Sequence, residues 1–157
     1  MKLFIKTRIF FIAILSLLAI STFYSCGDDD NPNNSNEFTR ASNPSFRLNL
    51  TLGTNAALRF NGGFRFVPPR EARGSIAGVF IRRVTASDFR VFELSEPNNV
   101  PGACSAPDLE DSIILVYECG DKTSKYNTTD GNKLEGEGQF ALKFFNATLN
   151  GDILIIN

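Results

Sequence analysis

From residue 44 onward the apolar residues fall in short runs, several of them at every second position, and that rhythm admits strands and little else. In Phe46-Arg-Leu-Asn-Leu-Thr-Leu52, the residues Phe46, Leu48, Leu50 and Leu52 alternate with Arg47, Asn49 and Thr51. Period two over such a run predicts a half-buried strand. Asn61-Gly-Gly63 marks a turn, Phe64 and Phe66 flank Arg65, and Pro68-Pro69 stops that run. Ile76-Ala-Gly-Val-Phe-Ile81 predicts a buried strand, with Gly78 marking a bulge or a close backbone approach. Phe89-Arg-Val-Phe-Glu-Leu94 runs back, with Phe89 and Val91 on one side and Phe92 on the other. Ile113 to Tyr117 is continuously apolar, as a strand covered on both faces would be. The chain closes on Phe140 to Leu149, Asn150-Gly151, and Asp152 to Ile156, where an Asn-Gly pair between two apolar runs signals a hairpin. No helical repeat follows residue 26, so the expected class is all-β. Fifteen phenylalanines and no tryptophan in such strands are read as core.

The first part of the chain carries an address. Lys2, Lys6 and Arg8 precede the apolar run Ile9 to Ile20, a secretory signal too short for a comfortable membrane span. The run ends at Phe23-Tyr-Ser-Cys26-Gly27, which resembles a bacterial lipobox with Phe23 in the place usually held by leucine. The resemblance implies a signal peptide over residues 1–25 and acylation of Cys26, hence membrane attachment through an N-terminal lipid. An uncleaved anchor or a plainly secreted protein is the alternative. Residues 26–43, with Gly27-Asp-Asp-Asp30 and Asn31-Pro-Asn-Asn-Ser-Asn-Glu37, have the composition of a flexible tether. The acidic run behind the cysteine resembles a signal that one group of Gram-negative bacteria uses to display lipoproteins on the cell surface; a solvated linker is the plainer reading. An outer-membrane lipoprotein facing the periplasm or the cell surface is the expected localisation.

Charge and cysteines narrow the classes further. The chain has 16 Lys+Arg and 17 Asp+Glu. Removing the three basic residues of 1–25 leaves the mature part mildly acidic, and no basic face suited to nucleic acid is evident. If Cys26 is acylated, Cys104 and Cys119 remain as an even pair in an oxidising compartment, either as a disulfide or as two buried thiols.

The region from Phe89 to Gly131 brings two strand–loop units, each with a cysteine. The second loop reads Cys119-Gly-Asp-Lys122-Thr-Ser124-Lys-Tyr126, with Asp130-Gly131 after it; the first reads Phe92-Glu-Leu-Ser-Glu96-Pro97-Asn98-Asn99. Over residues 44–157 this order resembles a Rieske-type iron–sulfur domain of the lipid-anchored kind. The resemblance implies a Rieske-like antiparallel β-sandwich with a two-loop cluster-binding end. In it Cys119 stands at a ligand cysteine, Lys122 at a ligand histidine, and Ser124 and Tyr126 at structural positions. Glu96 stands at the other ligand cysteine, and Asn98 or Asn99 at the other histidine. A Rieske centre takes two thiolates and two imidazoles. The chain has no histidine and, apart from Cys26, two cysteines. The [2Fe–2S] cluster that the family implies therefore has no ligand set, and no cofactor is expected. The Cys104–Cys119 pair would then tie the two loops, Ser95–Ala106 and Cys119–Gly131, in place of iron.

The absence of histidine also removes Ser-His-Asp triads and histidine zinc sites. Asp108, Glu110 and Asp111, and again Glu135 and Glu137, are carboxylate clusters of a kind common on surface loops. Asn127-Thr-Thr-Asp130-Gly-Asn132 offers hard oxygen donors for calcium, but a polar turn is the plainer reading. Arg65, Arg70, Arg73, Arg82 and Arg83 form a candidate basic patch, or scattered solvent-facing arginines. Two functions stand: a non-enzymatic module that meets a protein or glycan through its two loops, and a redox protein acting through a metal centre or the cysteine pair.

Overall fold

The computed structural model describes residues 36–157, so the expected signal segment, Cys26 and the expected tether as far as residue 35 lie outside the described residues. The domain is all-β. Eleven strands follow in order: β1 (Phe46–Asn49), β2 (Phe64–Val67), β3 (Val79–Arg83), β4 (Phe89–Glu93), β5 (Asp108–Glu110), β6 (Ile114–Cys119), β7 (Lys122–Asn127), β8 (Lys133–Glu135), β9 (Phe144–Phe145), β10 (Ala147–Asn150) and β11 (Ile153–Ile156). One 3-10 helix, Gly53–Arg59, joins β1 to β2. Among the described residues no helix is long and apolar enough to cross a membrane.

Three antiparallel sheets form, with strand orders β1-β11-β10, β2-β3-β4-β9 and β5-β6-β7-β8. The middle sheet supplies side chains to two cores. Val79 and Ile81 of β3, with Phe89 and Val91 of β4, join Leu48, Leu154 and Ile156 of the first sheet. Phe80 and Phe92, from the alternate positions of the same strands, join Leu115, Tyr117 and Tyr126 of the third sheet. Successive side chains of a strand point to opposite faces, so a strand covered twice must be apolar throughout. That strand is β3. The expectation that Ile113 to Tyr117 is covered on both faces is corrected: Leu115 and Tyr117 are buried, whereas Ile114 and Val116 on the opposite face are only half-buried, and Ile113 lies ahead of the strand, 39% exposed.

Polar side chains decide where several strands stop. The amide N–H groups of Ile76 and Ala77 donate to the Glu93 carboxylate, at 3.0 and 2.9 Å, so the strand expected from Ile76 begins at Val79. Gly78, at φ 103°, lies where a Cβ would strike the Val67 carbonyl oxygen, the close approach its position in the sequence suggests. The Asn49 side chain accepts the Thr51 N–H at 2.9 Å, turning the chain after Asn49. Leu52, read as a buried end of that strand, is instead exposed.

The C-terminal hairpin forms with its turn one residue later than the Asn-Gly pair suggests. Asn150 pairs with Ile153, leaving Gly151-Asp152 as the loop, and Gly151 alone takes a positive φ, 59°. Glycine at the first central position belongs to the type II′ turn. The run Phe140 to Leu149 is not one strand. It changes sheets at Asn146, with β9 beside β4 and β10 beside β11.

Residues 36–43, read as tether, are packed against the domain. Asn36, Thr39 and Ser42 are buried. The Lys143 ammonium donates to the carbonyls of Thr39 at 3.1 Å, Arg40 at 3.3 Å and Ser42 at 2.6 Å. Burial pushes its pKa down, partly offset by Glu93.

Candidate functional site

The site lies where the loop after β4 meets the β6–β7 hairpin. Cys119 pairs with Lys122 across the two-residue turn Gly120-Asp121, where Gly120 takes φ 70°. The chain therefore reverses at once, and the polar loop expected over Cys119–Gly131 is largely strand β7. Its composition is polar, but burial alternates from Thr123 onward: Ser124 and Tyr126 are buried, Thr123 exposed and Lys125 half-buried. With period two, Lys122, Ser124 and Tyr126 share one face, opposite Cys119, Tyr117 and Leu115 of β6.

Cys104 and Cys119 form a disulfide, S–S 2.02 Å, across a separation of 15 residues. The bridge fastens the loop after β4 to the hairpin, and the Ser105 N–H donates to the Glu118 carbonyl at 2.9 Å beside it.

Glu96 is the hub of the loop. It is 4% exposed, and its carboxylate accepts from the Tyr126 hydroxyl, from the Asn98 N–H at 2.8 Å and from the Asn99 amide at 2.7 Å. Asn98 spends its side chain inward. Its amide donates to the Tyr126 oxygen at 2.9 Å and the Phe140 carbonyl at 3.0 Å, and its carbonyl accepts the Phe140 N–H at 2.9 Å. The Asn99 amide also faces Cys119 Sγ at 3.8 Å. Lys122 lines a polar cleft of about 180 Å³ with Asn98, Asn99, Cys119 and Ser124. It pairs at the rim with Glu137, Nζ to carboxylate 2.7 Å, which raises its pKa. Glu96, Asn98, Asn99, Cys119 and Lys122 are thus brought together, Glu96 through its bonds to both asparagines.

These groups do not fit a [2Fe–2S] cluster. One sulfur of the five positions remains, and it is bonded to Cys104. A cluster of this type takes two thiolates and two imidazoles, whereas here amides and an ammonium stand in their place. Asn98 is committed to hydrogen bonds within the chain, and Glu96 offers a carboxylate where the cluster takes a thiolate.

Burial is the largest cause pushing the Tyr126 hydroxyl above its ordinary pKa, reinforced by the bond to Glu96. Tyr117 is raised by burial, then by Tyr126 and Glu96, and its hydroxyl has no partner among the described residues. An unfolded tyrosine ionises near pH 10. Because both folded pKa values are raised, their contribution to stability is complete below about pH 10 and is lost as pH climbs further. Urea unfolding measured from pH 8 to 11 is expected to show this loss, with no tyrosinate absorbance from either ring before unfolding. Tyr126→Phe should cost about 1–2 kcal/mol at neutral pH and flatten the alkaline limb.

Other candidates from the sequence are otherwise employed. Asp108 and Glu110 lie in strand β5, and Lys125 pairs with Glu110 at 3.0 Å and Glu135 at 4.0 Å. In the proposed calcium loop, Asn127 and Asp130 accept the N–H groups of Thr129 at 2.7 Å and Asn132 at 3.0 Å, as polar turns do. Arg65 bonds Asn55 and Glu71, Arg82 bonds the Ser112 carbonyl, and Arg83 holds the carbonyls of Leu58 and Arg59 at 3.1 and 3.0 Å. Those three arginines brace the fold rather than form a patch; Arg70 and Arg73 are exposed.

Sequence reasoning passed over Glu93, which is fully buried and accepts from Ile76, Ala77, Ser95 and Ser42. The signal was present: in the set Phe89, Val91, Glu93, a carboxylate occupies a core-facing place.

Fold and site together define a class: an all-β domain of three sheets, with a loop fastened to a hairpin by a disulfide over a buried carboxylate hub. No family model, no curated protein and no solved structure matches the chain.

Proposed function

We propose that the chain is an exported, lipid-anchored, Rieske-like β domain that has lost [2Fe–2S] ligation and serves as a non-enzymatic binding or structural module of the outer membrane, facing the periplasm or the cell surface. One observation carries this reading. Glu96, Asn98, Asn99, Cys119 and Lys122, the positions at which the resemblance expects ligands, are gathered into one site whose bonds are closed by the protein's own groups. A carboxylate hub and a disulfide do the cross-linking that a metal cluster would do. The loop remains accessible, with Val100 63% exposed beside the bridge, and loops on a rigid scaffold are where contacts are made.

Three measurements test it. Purified mature protein is expected to be colourless and free of stoichiometric iron and sulfide; a visible band with both refutes the loss of the cluster. Cys26→Ala should release the protein from membranes, and unchanged fractionation refutes the anchor. A photo-crosslinker at Val100 or Lys122 should capture a protein or glycan in intact cells, while one at Thr148 on β10 should not. Equal capture, or none, refutes the contact surface.

A second reading, a redox role, draws on the half-buried state of both cysteines. A reduction titration separates the two: a potential below about −300 mV marks a structural bridge, and one between about −120 and −270 mV an exchange-active pair.

A further inference from the structure

Two clefts flank the disulfide. Cys119 lines the polar one with Lys122, and Cys104 lines the other, of about 140 Å³, together with Glu96, Val100 and Gly102. Cys104 Sγ, Cys119 Sγ and a Glu96 carboxylate oxygen lie within 4.8 Å of one another. While the sulfurs are bonded to each other they are not thiolate ligands. We propose that reduction of the Cys104–Cys119 bridge opens a binding site for a zinc-class divalent cation, held by two thiolates and the Glu96 carboxylate.

The geometry required is close to the geometry present. Tetrahedral zinc holds sulfur at about 2.3 Å and carboxylate oxygen at about 2.0–2.2 Å, which sets ligand atoms about 3.5–3.8 Å apart. The bonded sulfurs must separate by less than 2 Å or so to reach that spacing, and the carboxylate is within range of both. Two sulfurs and one oxygen select zinc over the hard ions calcium and magnesium. Three protein ligands leave a fourth position, and the cleft lined by Glu96 and Cys104 provides room for it. Asn99 fixes the arrangement from outside: its amide holds Glu96 Oε2 at 2.7 Å and faces Cys119 Sγ at 3.8 Å.

The chemistry balances through a dithiol reductant. The reductant delivers two electrons and two protons, becomes a disulfide itself, and leaves Cys104 and Cys119 as thiols. The cation then displaces both thiol protons to solvent. The bound site carries two thiolates, one carboxylate and one divalent ion.

This proposal is separate from the contact-surface reading, and the cation titration and the cellular crosslinks can fail independently. The mature chain is reduced with a phosphine, freed of it without oxygen, and titrated with Co2+ as an optical probe, then with Zn2+. A thiolate-to-cobalt band should saturate at one cobalt per chain and vanish on adding zinc. The oxidised protein and Cys104→Ser should give no such band. Glu96→Gln should weaken binding by about 100-fold, and Asn99→Ala by about tenfold, the scale of an outer-shell loss. No band, saturation at half a cobalt per chain, or an unchanged affinity in folded Glu96→Gln overturns the proposal. If Glu96→Gln fails to fold, wild-type affinity in Asn99→Ala overturns it instead.

Discussion

Glu93→Gln should destabilise the domain by about 4 kcal/mol, read as a fall in the urea midpoint at unchanged slope. The carboxylate is fully buried between the middle sheet and the segment leading into β3. One oxygen accepts the N–H groups of Ala77 and Ser95, at 2.9 and 3.2 Å, and the other accepts Ile76 N–H at 3.0 Å and the Ser42 hydroxyl. A glutamine keeps the shape but turns one acceptor into a donor, which leaves two of those donors facing an amide. Charge-assisted bonds contribute about 1.5–3 kcal/mol each, and buried donors without partners cost about 1–3. The Lys143 ammonium also loses the nearby negative charge that moderates its burial. A loss below 1 kcal/mol would show that the carboxylate is not holding this segment.

Reduction of the Cys104–Cys119 bridge should cost roughly 3 kcal/mol, the loop-closure entropy of a segment of about 15 residues. The bridge packs against the margin of the core of Phe92, Leu115 and Tyr117 and takes no part in that of Leu48, Val79, Val91 and Ile156, so the reduced domain is expected to stay folded. Urea unfolding with and without a phosphine measures the difference, and alkylation of the native protein without reductant should label neither cysteine. Two labelled thiols in that sample would remove the bridge from every argument above. The effect should also be local: hydrogen exchange is expected to quicken first over residues 98–107, which the bridge fastens to β6, and last in β3.

Much of the fold was legible in the spacing of apolar side chains. Phe89, Val91 and Phe92 divide between two faces as their positions demand, and the two cores receive them accordingly. The strand ends were not legible, because they are set by side chains distant in sequence. Ile76 and Ala77 look like strand until Glu93 claims their N–H groups. The polar composition of Lys-Thr-Ser-Lys-Tyr-Asn reads as loop; the alternation that places Ser124 and Tyr126 inward is the better guide to strand β7. Of the site, the pairing of Cys104 with Cys119 could be expected once Cys26 is set aside, since these two are the cysteines left. The bond from Tyr126 to Glu96 could not, since it spans 30 residues and exists only once the loop has folded back on the hairpin.

The grip of Lys143 on the carbonyls of Thr39, Arg40 and Ser42 has a mechanical meaning. Strand β1 lies at the edge of its sheet, and traction on the chain ahead of it would otherwise unzip its bonds to β11 one by one. With the ammonium and the Glu93 carboxylate clasping residues 39–42, a pull from the N-terminal side is resisted first by several bonds at once. That load passes beside β9 and β4 into the middle sheet, which shares a strain that β1 would otherwise bear alone.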